Sequence, residues 1–273
     1  MKFQFADVDG ERRKPERGLL GKCCFCGCAM IARCGEHNVW HWAHVGARIC
    51  DHWWEPQTEW HLAWKNQFPE NWQEKPHKSE DGERHIADVE TENGVVIEFQ
   101  HSNLPRDERE SREKFYQNMV WVVDGLRRVQ DRSSFFASLT LTSIVKANPL
   151  TFSLPLNKCR LLREWMDSRK FVFFDFGDNS ESGDPLSFPA PVLWRLDHRS
   201  PKGEAHLSPV LKTSFLDKHL KGLPLRPIDY SVELMELRAV YAALLQQVPR
   251  SRPLMGFERY WANKQRARAR RRF

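Results

Sequence analysis

The chain has 273 residues, of which 41% are hydrophobic and 29% are charged. This composition excludes a wholly disordered protein, and the length allows one or two domains with a sizeable core. No apolar run approaches the roughly 20 residues that a membrane-spanning helix needs, and the first residues lack the apolar stretch of a signal peptide. We therefore expect a cytoplasmic protein without a membrane partner, and the sequence predicts no particular oligomeric state.

The positive charge is concentrated in the last fifteen residues. The formal net charge is +6, and residues 259–273 hold seven Lys or Arg residues and no acid, so that subtracting these seven leaves −1 for the other 258 residues. Such a basic tail predicts a nucleic-acid partner through counterion release, and the alternative is a solvated, disordered tail. The tail residues that we assign to nucleic-acid binding are Lys264, Arg266, Arg268, Arg270, Arg271 and Arg272.

Six of the seven cysteines lie in one short segment, from Cys23 to Cys50. In a cytoplasmic protein this clustering indicates metal binding rather than disulfides. We therefore predict a zinc-binding module at residues 1–55 with a tetrahedral structural Zn²⁺. Its ligands are expected to be four of the following five residues: Cys23, Cys26, His41, His44 and Cys50. Other nearby thiols and His37 leave the ligand set open, and the alternative is a group of buried thiols without metal.

Residues 56–125 predict a helix, a three-stranded meander, a second helix and a further strand, in that order. Thr58 can cap the first helix, whose aromatic residues recur at every fourth position, and Pro69 ends it. The dipeptide Asn93-Gly94 predicts a two-residue type I′ turn between the second and third strands. The strands are expected near residues 72–77, 85–90, 95–100 and 119–123, and the second helix near residues 105–118.

The remaining segments give weaker patterns. Residues 1–54 show little helical or strand periodicity, and the segment 146–250 shows no motif that predicts chemistry, so we treat it as a C-terminal α/β region before a basic tail at 251–273. Within these segments we expect a helix near 126–140, strands near 170–176 and 192–197, and an amphipathic helix over 229–248.

Acidic and amide side chains mark the meander as the candidate active site. Glu98 and Gln100 are two residues apart on a predicted strand and therefore project from one face. Asp88 lies on the partner strand, where a two-residue turn would pair it with about residue 99, so a bulge or longer turn is needed to bring it level with Glu98. Carboxylates on adjacent strands can hold Mg²⁺ or Mn²⁺, although acids on the solvated face of a sheet are the alternative.

An ordered set of short motifs covers about residues 20–125: HWAH, TEWHLAWK, HIADV, VVIEFQHS and REKFYQNMVWVVD. This set resembles the CoiA-like competence protein family, and the order of elements resembles the core of the PD-(D/E)XK nuclease superfamily in its variant with Gln in place of Lys. The resemblance implies a mixed α/β fold with a restriction-endonuclease-like core (α-β-β-β-α-β) at residues 56–145. It also implies a metal-dependent nuclease acting on DNA, and it leaves DNA uptake in competence, DNA repair and defence against foreign DNA open as its role.

The resemblance also implies roles for individual residues. Asp88 and Glu98 would hold the catalytic metal, and Gln100 would orient the attacking water or the scissile phosphate. Glu59, on the preceding helix, is a further candidate catalytic acid. The pattern of CxxC, HxAH and a later cysteine favours Cys50 as the fourth zinc ligand. His61 and Lys65 share a helix face and are candidate nucleic-acid contacts.

Two other classes of function stay open at this point. The replacement of the usual Lys by Gln100 favours a catalytically silent nucleic-acid-binding protein on a nuclease-like fold. A protein–protein adaptor that uses the Trp-rich zinc region is a third interpretation. The presence of competent side chains at Asp88 and Glu98 together favours the enzyme.

Overall fold

The computed structural model describes residues 3–36, 39–46, 50–53, 57–140, 143–177, 188, 190–236 and 239. The chain divides into two compact units, Met1–Asp229 and Tyr230–Phe273. In the second unit, residues 231–236 are helical; most of the remainder of the helix predicted over 229–248, and the whole basic tail, lie outside the described residues. Among the described helices, none is long and apolar enough to cross a membrane.

The first unit begins with a five-stranded antiparallel sheet in the order β2-β1-β3-β4-β5. Its strands are β1 Ala6–Val8, β2 Glu11–Arg13, β3 Leu20–Lys22, β4 Ala29–Arg33 and β5 His41–His44. A small core of its own, which includes Phe3, Met30 and Trp42, packs against this sheet. The sequence of residues 1–54 did not reveal these strands, because strands of three to five residues are too short for alternation to stand out.

A nine-stranded mixed sheet forms the rest of the first unit, in the order β10-β11-β14-β13-β12-β9-β8-β7-β6. Its strands are β6 Gln73–Lys78, β7 Arg84–Glu90, β8 Val96–Gln100, β9 Met119–Asp124, β10 Ile144–Ala147, β11 Leu150–Pro155, β12 Phe171–Asp175, β13 Val192–Asp197 and β14 Glu204–Leu211. The pairs β8–β9 and β9–β12 are parallel. The predicted division at residue 145 does not separate two sheets, because β9 is buried along its whole length and pairs with β12 on its second edge.

Among the described residues, the first unit has five α-helices: α1 Glu59–Lys65, α2 Arg106–Phe115, α3 Val129–Ser138, α4 Arg160–Trp165 and α5 Lys212–Lys221. The order α1-β6-β7-β8-α2-β9 confirms the predicted helix, meander, helix and strand. The sequence analysis missed β10, β11, β14, α4 and α5. Pro209 lies within β14, and a proline in the sequence normally argues against a strand at that position. Helix α4 has too few residues to show a helical period.

Helix α1 is fixed at both its start and its buried face. Thr58 caps it, and the side chain of His61 accepts a hydrogen bond from the backbone of Thr58 in return, which completes a capping box. Trp64 packs in the main core against the ring of Phe99, with ring centroids 5.5 Å apart. The indole nitrogens of Trp60 and Trp64 both donate to Asp175 Oδ2, at 3.1 and 2.8 Å. The helix is thereby held over the meander.

The turn between β7 and β8 sets the register of the candidate site. Thr91 N donates to Val95 O at 3.0 Å, which leaves a three-residue loop in which Gly94 has φ +69°. Among the described non-glycine residues, Asn93 is not one with positive φ, so the turn is not the predicted type I′ turn. The sequence analysis required a longer turn or a bulge to bring Asp88 level with Glu98. The loop is longer by one residue, and the pairing of Val89 with Ile97 places Asp88 opposite Glu98.

Candidate functional site

The strands β7 and β8 separate at Asp88 and Glu98. Backbone pairing is present at Glu90 with Val96 and at Val89 with Ile97, and side chains replace it at the next position. There Asp88 N donates to Glu98 Oε1 at 3.2 Å, and Phe99 N donates to Asp88 Oδ2 at 3.0 Å. The two carboxylates thus lie side by side in the opening between the strands, as the sequence analysis required.

Glu98 is a buried carboxyl group, and only 7% of its side chain is exposed. Burial and then the negative charge of Asp88 raise the pKa of Glu98 to about 8, although the guanidinium of Arg112 opposes this shift. Arg112 Nη1 lies 3.4 Å from Glu98 Oε2, and Arg112 comes from α2. Negative charge at Glu98 is therefore costly, and a further cation close to it would relieve that cost.

Lys65, at the end of α1, lies between the carboxylates of Glu74 and Asp88. Its ammonium lies 3.1 Å from Glu74 Oε1 and 3.4 Å from Asp88 Oδ1, and its side chain is 1% exposed. Burial lowers the pKa of Lys65, but the charges of Glu74 and Asp88 outweigh burial, so that its pKa lies above the ordinary value. Lys65 is therefore a buried cation of the site itself, and its contact with nucleic acid stays a prediction.

Glu74 is a site residue that the sequence analysis missed. It lies on β6 opposite Asp88, and its backbone has φ +45°, which is sterically unfavourable for a residue with a Cβ. Its carboxylate accepts hydrogen bonds from the backbone N–H of Gln4 and from Gln57 Nε2 as well as from Lys65. An acid on the first strand of the meander was the available signal, but neither the backbone conformation nor these partners could be read from the sequence.

These groups surround a small polar cavity of about 50 Å³. Such a volume has room for an ion or a few water molecules. The cavity is lined by Phe3, Asp51, Trp53, Gln57, His61, Lys65, Glu74, Ile86, Asp88, Glu98, Phe99 and Arg112. Four acidic side chains and two basic ones, Lys65 and Arg112, therefore line the same cavity.

Two of the predicted catalytic residues do not line this cavity. Gln100 is buried two positions beyond Glu98, and its Nε2 donates to the carbonyl and hydroxyl oxygens of Ser102 at 3.2 and 3.4 Å. Glu59 is exposed in the first turn of α1. Since residues two apart on a helix point in nearly opposite directions, the orientation that turns His61 towards the cavity turns Glu59 away from it.

His85 has a structural role. Its ring nitrogens bond to Asp51 and Glu83, both at 2.9 Å, and its ring stacks on Trp53. Asp51 also accepts from the backbone N–H of Ile86 at 2.8 Å. Burial raises the pKa of Asp51, but the hydrogen bonds outweigh burial, so that its pKa is lowered.

A separate Cys/His cluster forms a candidate metal centre in the N-terminal module. Its members are Cys23, Cys26, His44 and Cys50, whose ligand atoms all lie within 4.8 Å of one another. Cys26 Sγ lies 3.2 Å from His44 Nε2, and Cys23 Sγ lies 4.0 Å from Cys50 Sγ. A tetrahedral zinc ion with Zn–S bonds of about 2.3 Å separates its sulfur ligands by about 3.8 Å. The cluster can therefore hold a metal ion such as zinc.

The turn between β3 and β4 presents the first two cysteines. Gly27 N donates to Cys23 O at 2.9 Å, Gly27 has φ +71°, and Phe25 N donates to Cys23 Sγ at 3.4 Å. A hydrogen bond from the Cys50 thiol lowers the pKa of Cys23 to about 5. The same contact raises the pKa of Cys50, so that Cys23 is the first of the two thiols to lose its proton, and the thiolate is the form that binds a metal.

His41 is not a member of this cluster. It lies three residues before His44 on β5, so the two side chains leave opposite faces of the strand. His41 Nδ1 is instead 2.8 Å from Val39 O. Of the five predicted candidates, the four that come together are thus the set with Cys50.

The basic tail lies outside the described residues, so its predicted role stays a prediction. This concerns Lys264, Arg266, Arg268, Arg270, Arg271 and Arg272.

Comparison of the chain with protein-family models, with curated proteins and with solved structures found no match.

Proposed function

We propose that this protein is a metal-dependent nuclease that hydrolyses phosphodiester bonds of DNA at the cavity between β7 and β8. The observation that carries the proposal is the separation of these strands at Asp88 and Glu98, which brings both carboxylates to one polar cavity. A solvated sheet face would not need carboxyl groups that replace backbone pairing and lie beside the buried cations Lys65 and Arg112.

The resemblance of the sequence motifs to the CoiA-like family supports the same proposal. The observed order α1-β6-β7-β8-α2-β9 agrees with the PD-(D/E)XK core that this resemblance implies, with Asp88 on the second strand and Glu98 on the third. A role in DNA uptake, repair or defence and a cytoplasmic location also belong to the proposal.

The residues around the cavity fit a divalent cation. Asp88 and Glu98 supply hard oxygen ligands, and burial of Glu98 beside a second negative charge favours a bound cation. Mg²⁺ or Mn²⁺ held by these carboxylates would lower the pKa of a coordinated water molecule and offset negative charge on the phosphate. Lys65 holds Asp88 in place and gives the cavity the positive charge that the E-x-Q motif lacks.

We propose a different task for Gln100 than the motif implies. Its amide nitrogen binds Ser102, whose carbonyl also accepts from Arg127 Nη1 at 2.7 Å, so Gln100 fixes the chain that leaves β8. Contact with water or phosphate falls to Lys65, which lines the cavity where Gln100 does not. The zinc module and the basic tail would bind the nucleic acid beyond the cavity.

The test is cleavage of plasmid and of single-stranded DNA in the presence of Mg²⁺ or Mn²⁺. We expect cleavage by the wild type and its loss in Asp88→Ala and in Glu98→Ala. Glu92→Ala, which removes an exposed acid from the same hairpin, is the matched control and should retain activity. DNA binding without cleavage under any of these conditions would favour the catalytically silent alternative.

A further inference from the structure

Two segments of the N-terminal module reach the carboxylate cavity. One of them contacts a member of the Cys/His cluster, and the other begins with a member of it. The first is the chain at Phe3 and Gln4. The ring of Phe3 contacts the ring of the metal ligand His44, with centroids 5.5 Å apart, and Phe3 also lines the cavity. The next residue, Gln4, donates its backbone N–H to both oxygens of Glu74, at 3.0 and 3.1 Å. This segment therefore connects His44 to a carboxylate of the cavity.

The second segment is Cys50 to Trp53, which we call the 50–53 segment. Cys50 is the fourth member of the metal cluster, and the next residue, Asp51, is buried and lines the cavity. Asp51 binds β7 twice, because Oδ2 accepts from Ile86 N at 2.8 Å and Oδ1 contacts His85 Nδ1 at 2.9 Å. Asp51 Oδ1 also accepts from Trp53 N at 2.9 Å, which closes the segment on itself.

Trp53 extends this connection to Glu98. Its ring stacks on His85, and its carbonyl oxygen accepts from Arg112 Nη2 at 2.7 Å. The other terminal nitrogen of Arg112 lies 3.4 Å from Glu98 Oε2. A continuous path of contacts therefore runs from Cys50 through Asp51 and Trp53 to Arg112 and Glu98. The position of this metal ligand and the position of a cavity carboxylate are mechanically connected.

We infer that the Cys/His metal centre positions the carboxylate cavity, and that Asp51 and Trp53 are the positioning residues through which it acts. The N-terminal strands have three to five residues each and bury a small core, so a bound metal contributes much of the rigidity of this module. Releasing Cys50 from the metal frees one end of the 50–53 segment and weakens its contacts with β7 and Arg112. The inference rests on the proposed function for the activity of the cavity. It does not rest on that function for the way in which the N-terminal module holds the cavity residues in place.

Cys50→Ala tests this connection directly, because Cys23, Cys26 and His44 remain to hold the metal. Two amides report on the cavity: Ile86 N–H, which is bound by Asp51, and Asp88 N–H, which is bound by Glu98. In Cys50→Ala that retains zinc, we expect both amides to exchange with solvent about tenfold faster, since the loss of a hydrogen bond that contributes about 1.4 kcal/mol raises the opening equilibrium about tenfold. Amides of β13 should keep their wild-type rates, which excludes global unfolding.

Cys34→Ala is the matched control, because Cys34 lies outside the cluster, and it should leave both rates unchanged. Wild-type exchange at Ile86 and Asp88 in zinc-loaded Cys50→Ala would overturn the inference. If Cys50→Ala loses its zinc, Asp51→Asn decides: it keeps every metal ligand, and an amide nitrogen replaces one of the two carboxylate oxygens that accept from Ile86 N–H and Trp53 N–H.

With zinc still bound, faster exchange at Asp88 in Asp51→Asn supports the inference, and an unchanged rate refutes it. None of these measurements involves DNA cleavage. A wild type that does not cleave DNA would therefore refute the proposed function, while the exchange rates would still decide whether the metal centre positions the cavity.

Discussion

Replacing Glu98 by Gln is expected to change how the stability of the protein depends on pH in the absence of added Mg²⁺ or Mn²⁺. The pKa of Glu98 is about 8 in the folded chain and 4.5 for an unperturbed glutamate. Between these values the folded chain binds one proton more at this position than the unfolded chain does. The stability that Glu98 contributes is therefore fully present below pH 4.5 and is lost as pH rises through about 8.

The size of this effect follows from the two pKa values. Over the interval from 4.5 to about 8, at about 1.4 kcal/mol for each pH unit, the free energy of unfolding falls by about 5 kcal/mol. Gln has nearly the same shape as the protonated carboxyl group and does not titrate. The difference between the wild type and Glu98→Gln therefore isolates this contribution from all other titrating groups.

The assay is urea unfolding followed by circular dichroism at about pH 5 to about pH 9, with zinc bound. The free energy of unfolding of the wild type should fall relative to that of Glu98→Gln across this range. Asp88→Asn should move the fall to lower pH, because the charge of Asp88 raises the pKa of Glu98. A difference that stays constant over the whole range would refute the reasoning that burial and Asp88 hold Glu98 protonated.

Three further predictions concern the metal centre, the buried lysine and the tail. His44→Ala should bind zinc more weakly than His41→Ala does, as measured by competition with a chelator, because of these two histidines only His44 reaches the cysteines; equal zinc affinity in both variants would contradict the assigned ligand set. Lys65→Met should lower the free energy of unfolding by about 3–5 kcal/mol in urea, since it leaves Glu74 and Asp88 without their buried cation; a loss below about 1 kcal/mol would show that solvent already compensates these charges. Deletion of residues 259–273, with seven basic side chains, should reduce the slope of log affinity for double-stranded DNA against log salt by up to about 6 in fluorescence anisotropy; an unchanged slope would exclude the tail from the interface.

The order of elements around the meander was predictable because each element has a local cause. Thr58 caps α1, the spacing of Trp60 and Trp64 defines one helix face, and the alternation in β8 puts Glu98 beside apolar neighbours. The Cys/His cluster was predictable down to one position, because the spacing of Cys23 and Cys26 brings two candidate ligands into one turn. To choose between His44 and His41 one must know which face of β5 is turned towards the cysteines. The sequence does not show this, because β5 carries one histidine on each face.

Contacts between residues far apart in the chain were decided by the tertiary structure. Glu74 becomes a site residue because β6 pairs with β7 and because Gln4, seventy residues earlier, donates its backbone N–H to it. Lys65 becomes part of the cavity because Trp60 and Trp64 fix α1 on Asp175, more than a hundred residues later. Neither relation leaves a pattern in the local sequence, since each depends on which strands pair and on how the helix rests on them.

The amino-acid sequence by itself determined which side chains could perform chemistry: Asp88 and Glu98 on a hairpin, a cluster of cysteines and histidines, and a basic tail. The tertiary structure decided which of these side chains meet. It brought Lys65, Glu74 and Arg112 to the two carboxylates, kept Gln100 and Glu59 out of the cavity, and joined the metal centre to the cavity wall through Asp51. The physical reason is that residue type and local spacing set chemical capacity, whereas burial and proximity arise from long-range packing.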